Sequence, residues 1–149
     1  TVVVSNEVGA PVEQVFAAFG DVEHASEHVA AIKGIEMLTP GGFGLGTRWR
    51  ETREVLGRLD SAEMEVTSFE QNKGYTITHY KGGARLDTTF SFTPTPKGTS
   101  VQVEFSLDGP GLPPGLLTPL TWAISGKVRD VLAQDLGDLK RQIESYAQR

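Results

Sequence analysis

Between residues 46 and 108 apolar and polar side chains alternate with a period of two, broken only where glycine or proline permits a turn. This stretch limits the possible folds more than any other. A strand sends successive side chains to opposite faces, so a one-residue slip in pairing would invert every inward set. A two-residue turn at Gly57-Arg58 pairs Arg53 with Ala62, Glu51 with Met64 and Trp49 with Val66, and it sets Arg50 opposite Glu65 on the other face. A Gly82-Gly83 turn pairs His79 with Leu86, Ile77 with Thr88 and Tyr75 with Phe90. The Thr95-Pro96-Lys97-Gly98 loop pairs Phe92 with Val101, Phe90 with Val103 and Thr88 with Phe105. The three turns agree on one inward face, which predicts a long antiparallel meander.

The flanks follow other rules. Residues 1–8 are rich in β-branched side chains and read as a strand. Pro11 suits the first turn of a helix, and Val12, Val15, Phe16 and Phe19 recur on one helical face that ends at Gly20. Asp21 is expected to cap a second short helix with Val22, Ala25 and Val29 inward, and residues 32–38 read as a strand closed by Pro40 and GGFGLG. After a Gly/Pro loop at residues 109–115, Leu117, Leu120, Ile124, Val128, Val131, Leu132, Leu136, Leu139, Ile143 and Tyr146 keep helical spacing. Pro119 belongs in the first turn of that helix. Gly126 and Gly137 weaken it, unless they permit close approach to the sheet. The order is strand, two short helices, six strands and a long amphipathic helix. It predicts an α+β chain, one domain over residues 1–149, in which a curved seven-stranded antiparallel sheet wraps around the C-terminal helix. Strong curvature leaves a cavity between the two layers.

The formal net charge of −5 argues against nucleic acid and anionic membranes as partners. The chain has no cysteine, which excludes disulfide scaffolds, thiolate metal sites and cysteine nucleophiles and suits a reducing cytoplasm. No apolar run reaches the ~20 residues of a membrane helix, and no basic-then-apolar leader is read at the start. The expectation is a cytoplasmic single domain, monomer or homodimer, with no cofactor and no integral membrane association.

The stretches APVEQVFAAFGDVEHASEHVAAIKGIEML, GTRWRETREVLGR, EMEVTSFE and GTSVQVEFSL, with the long helix running to LKRQIESY, resemble the START-like superfamily. The resemblance is to its polyketide cyclase/dehydratase and lipid-transport branch and covers nearly the whole chain. It implies the helix-grip fold and a cavity that takes sterols, lipids, hormones, polyketides or other apolar molecules, with cyclisation or dehydration in some members. Where relatives often carry a tryptophan late in the second helix, this chain has His28.

Glu51, Arg53, Tyr75, His79 and Thr88 fall in the inward registers, where stability alone would ask for aliphatic side chains. Buried ions must be paired, near water or facing a polar ligand. Glu51 and Arg53 therefore read either as cavity groups or as a pair neutralising itself at a solvated sheet edge. His79 is expected in one row with Glu51, Met64 lying between, an arrangement open to general acid–base chemistry or to a hydrogen-bonded core histidine. The first reading is a binding protein for a small, mostly apolar ligand. Trp49, Arg53, Met64, Tyr75, Ile77, Leu86, Thr88, Phe90, Val103, Phe105, Ile124 and Val128 would line its cavity. The alternative is a cyclase or dehydratase using His79 and Glu51. His24 to His28 spells H-x-x-E-H, but surface chance explains it better than zinc, and no metal site is expected. The glycines of residues 41–46 lack the following Lys-Ser/Thr of a phosphate loop and read as a plain or lid-like loop.

Overall fold

Val2, Val3, Val4 and Val8 favour extended backbone, and Val2–Val8 forms β1. The computed structural model describes the backbone of residues 2–55, 57–81, 83–108 and 118–147, and the side chains of residues 2–54, 57–80, 83–108 and 128–145. Pro11 leads into α1, Val12–Gly20, which buries Val15, Phe16 and Phe19 on the expected face. A 3-10 turn follows at Val22–Glu27. Asp21 stands at its start but supplies no side-chain cap; its carboxylate instead accepts from His24 Nδ1 at 2.8 Å. The strands are β2 Ile32–Met37, β3 Arg48–Val55, β4 Arg58–Glu70, β5 Gly74–Lys81, β6 Ala84–Thr95 and β7 Gly98–Asp108, and α2 spans Thr118–Ala147. The Gly/Pro loop at residues 109–115 lies outside the described residues.

All seven strands join one antiparallel sheet in the order β1-β7-β6-β5-β4-β3-β2, so the first two strands of the chain form its opposite edges. The β5–β6 and β6–β7 registers are those expected, including His79↔Leu86, Ile77↔Thr88 and Phe90↔Val103. The β3–β4 register differs by two residues: Trp49 pairs with Met64, Glu51 with Ala62 and Arg53 with Asp60. Arg50 consequently opposes Glu63, and Glu65 opposes Arg48. The cause is the turn. Gly57 takes φ +79° immediately before Arg58, which already pairs with Val55. A left-handed backbone is easy for glycine and costly for arginine, so the loop closes one residue earlier. A shift of two preserves side-chain parity, and the inward face survives. Between β4 and β5 a bulge after Val66 returns Phe69 to the inner face opposite Tyr75.

The long helix is tied to both sheet edges, which requires the sheet to curl around it. Toward β1, Arg129 donates to the Val3 carbonyl, Lys140 Nζ donates to the Glu7 carbonyl, and Glu144 accepts from the Gly9 N–H at 2.8 Å. Toward the other edge, Asp138 accepts from the Ala30 N–H at 3.1 Å and Asp135 pairs with Arg53. Leu132, Leu136, Leu139 and Ile143 run between these two polar stripes and pack into the core. Gly137 lies on neither side, since a Cβ there would meet only Arg141 Nη1 at 3.5 Å; it makes no close approach to the sheet. The side-chain surroundings of Gly126 lie outside the described residues.

The core is densest beneath α1. Phe16 meets Phe92 edge-on at 5.2 Å and Phe69 at 5.6 Å, and Tyr75 stacks on Phe90 at 4.8 Å. Val8, Val15, Val66 and Val101 are fully enclosed there.

Candidate functional site

Away from α1 the concave face of the sheet changes character. Met64, Ile77, His79, Leu86, Thr88 and Phe105 hold inward registers, yet each remains half-buried, and Leu107 at the end of β7 is exposed; Phe90, between Tyr75 and Phe19 of α1, is half-buried as well. Val128 of α2 is also half-buried. The side chain of Ile124 lies outside the described residues. Trp49, Tyr75 and Val103 sit deeper and belong to the packed core. The Tyr75 hydroxyl donates to the Phe19 carbonyl at 3.5 Å, and burial pushes its phenol above the ordinary range.

An ion cluster borders this region where β3 meets α2. Arg53 Nε donates to Glu51 Oε2 at 3.2 Å, and its Nη1 and Nη2 reach Asp135 Oδ1 and Oδ2 at 3.1 and 2.9 Å. Trp49 Nε1 donates to the other Glu51 oxygen at 3.4 Å. Side-chain exposure is 20% for Arg53, 12% for Glu51 and 20% for Asp135, so Glu51 and Arg53 do pair, but not at a freely solvated edge. Two carboxylates share one guanidinium. Burial pushes the Asp135 carboxyl up to about 6, Arg53 pulling against it while Glu51 and Asp138 add to the rise. Burial also works against the Arg53 charge, but Asp135 and Glu51 outweigh it and hold that group above its ordinary value. The two rises have different causes: burial for the Asp135 carboxyl, the attraction of two carboxylates for the Arg53 guanidinium.

Asp135 is the residue that sequence reasoning missed. Its signal was an acid beside an apolar helical stripe, one position before buried Leu136. The two-residue register shift also moves Glu51 out of the row expected for it. The β4–β5 register runs from Glu65↔Thr78, so its continuation sets Met64, and across β4 Trp49, beside His79. Glu51 lies two residues further along, which puts the His79 and Glu51 backbones about 12 Å apart from sheet spacings.

The two histidines of H-x-x-E-H take different partners: His24 the Asp21 carboxylate at 2.8 Å, His28 the side-chain amide of Gln142 on α2 at 3.4 Å. His24 lies within the 3-10 turn and His28 directly after it, and in such a turn i and i+4 do not stack as they do on an α-helix. In the GGFGLG loop, Phe43 turns inward against Tyr75 at 4.9 Å and Phe69 at 6.0 Å. A Cβ on Gly20 would lie 2.9 Å from the Phe43 ring, so the loop closes the α1 end of the core. Among the described residues, no helix is long and apolar enough to cross a membrane.

Comparisons with known proteins agree with this architecture. A family model described as polyketide cyclase / dehydrase and lipid transport matches residues 1–144. Among solved structures, TTHA0849 from Thermus thermophilus superposes with a TM-score of 0.79 at 18% identity over 97% of both chains. A START superfamily protein from Mycobacterium smegmatis gives 0.75 at 21% identity, again over 97% of both. The ginseng major latex-like protein 151 from Panax ginseng gives 0.74 at 11% identity over 95% of both. No curated protein matches the chain.

Proposed function

The chain belongs to the polyketide cyclase / dehydrase and lipid transport family, and from that we propose that it binds a small, mostly apolar molecule carrying a polar group, held between the concave face of the sheet and α2. The observation that carries the reading is the contrast between the two halves of the concave face. Beneath α1 Val15, Phe16, Val66, Tyr75, Phe92 and Val101 are enclosed, whereas Met64, Ile77, Leu86, Thr88 and Phe105 keep part of their surface accessible. Half-exposed apolar surface inside a curved sheet gains free energy when an apolar ligand covers it.

Binding is favoured over acid–base chemistry by the state of Glu51. Both its oxygens accept hydrogen bonds within the cluster, and its position on β3 is offset from His79. A general base must reach the proton it abstracts.

The test is native mass spectrometry of the protein as purified, combined with titration of the neutral fluorophore N-phenyl-1-naphthylamine. A co-purifying apolar molecule, or saturable fluorophore binding at about one equivalent, is the expected result. An empty protein with no saturable binding overturns the reading.

A further inference from the structure

Resting on the binding reading above, we infer that this site discriminates by ligand charge, disfavouring carboxylates and favouring an apolar molecule that bears a basic amine. Arg53 is the cation an anionic ligand would be expected to seek, and it is already occupied. Its Nε, Nη1 and Nη2 all donate to carboxylate oxygens of Glu51 and Asp135. A bidentate fork leaves little to offer a second anion, and an incoming carboxylate would meet two fixed carboxylates before it met the guanidinium. The cluster has a deficit of one positive charge. An ammonium group beside Glu51 or Asp135 supplies it.

Other charged groups stand around the cluster. Asp60 of β4 stands directly opposite Arg53, and α2 adds Asp138, which is held by Arg141, Gln134 and the Ala30 N–H. Arg58 and Lys81 occupy register positions of the same parity further out, at the ends of β4 and β5, and His79 stands on β5. Burial is the main cause of the raised Asp135 carboxyl, and the neighbouring Glu51 and Asp138 carboxylates add to it. Apolar walls beside such a cluster sharpen the discrimination, because a like charge brought into a partly desolvated space is repelled more strongly than in water.

The experiment uses three ligands with one ten-carbon chain and different heads: decylamine, 1-decanol and decanoate. Each displaces N-phenyl-1-naphthylamine from the purified protein at pH 7.5, below its aggregation concentration. The expected order is amine, then alcohol, then carboxylate, with about tenfold or more between the ends, the ratio that ~1.4 kcal/mol produces. Asp135→Asn and, as a second variant, Glu51→Gln should each reduce the amine-to-carboxylate ratio to about threefold or less. Decanoate binding as tightly as decylamine overturns the charge inference while leaving the binding reading intact, as does a ratio unchanged in both variants. Failure of all three ligands to displace the bound fluorophore overturns the inference, and absence of fluorophore binding overturns the reading beneath it.

Discussion

Arg53 on β3 and Asp135 on α2, 82 positions apart in the chain, meet in a two-pronged ion pair with contacts of 3.1 and 2.9 Å. The pair joins the sheet to the helix on the side opposite the Lys140 and Arg129 contacts with β1 and the Glu144 contact with Gly9 just after it. The helix is thereby held between both edges of a curled sheet, at a depth set by Leu132, Leu136, Leu139 and Ile143.

Removing either member of the pair should have unequal consequences. Arg53→Met leaves Glu51 and Asp135 facing each other, each with at most a fifth of its side chain exposed. Breaking a buried pair so as to strand a charge costs about 3–5 kcal/mol, and partial exposure should bring this to about 2–3. Asp135→Asn keeps the Arg53–Glu51 contact and removes a carboxylate that burial disfavours, so its cost should be under about 1 kcal/mol. Urea denaturation at pH 7 checks the order; equal costs would mean the cluster is not electrostatically unbalanced.

The same carboxyl predicts a pH dependence. Its pKa rises from 3.8 to about 6 on folding, so the folded state binds this proton more tightly than the unfolded state. That contribution is complete below the unfolded value and is lost as pH rises through about 6. Glu144, lowered mainly by its hydrogen bond from Lys140, has the opposite sign: its contribution is present above the unfolded value and lost as pH falls. The stability difference between the parent protein and Asp135→Asn isolates the first effect. The parent should lose ground to the variant between pH 4 and pH 7, by up to ~3 kcal/mol for a shift of this size. A flat difference across that range would contradict the assignment.

Much of this arrangement was legible in the sequence, for identifiable reasons. The Gly82-Gly83 turn and the Thr95–Gly98 loop are centred on their flanking alternations, so the β5–β6 and β6–β7 registers followed from pattern alone. The β3–β4 register did not, because a lone glycine fits either position of a two-residue loop and only its φ of +79° decides between them. The Arg53–Asp135 contact was hidden for a different reason. Alternation orders one sheet internally but does not align a helix against it, and the partner of Arg53 depends on how α2 is rotated. Phe43 was concealed by its surroundings: four glycines and a leucine around one aromatic suggest a loop, although the aromatic itself points to an anchor.

Two glycines should respond in opposite directions to alanine. Gly98 has φ +149°, and a Cβ there would fall 2.2 Å from the Val8 carbonyl oxygen and 2.9 Å from the Ala10 nitrogen. Backbone atoms cannot swing aside, so Gly98→Ala should cost more than about 2 kcal/mol through forced separation of β1 from β7. Gly137 lies inside α2 with only the Arg141 side chain near its missing Cβ. Gly137→Ala should stabilise by about 0.5–1 kcal/mol, the helical preference for alanine. Thermal unfolding of the two variants beside the parent gives both signs in one measurement.

A large side chain at the proposed ligand site distinguishes open space from packed core. Thr88 is the central inward residue of β6, with Ile77 on one side and Phe105 on the other, and it is half-buried. An indole at this position needs far more room than a threonine. In a filled core, such overpacking costs about 1–3 kcal/mol or more through displaced neighbours. Beside an open space the indole occupies the volume a ligand would take and covers the apolar surface of its neighbours. Thr88→Trp should therefore retain the parent's urea midpoint within about 0.5 M, a margin of about 1 kcal/mol at ordinary slopes. It should also weaken N-phenyl-1-naphthylamine binding by at least about tenfold, which corresponds to ~1.4 kcal/mol. A destabilised variant that binds the fluorophore as well as the parent would place any binding site elsewhere.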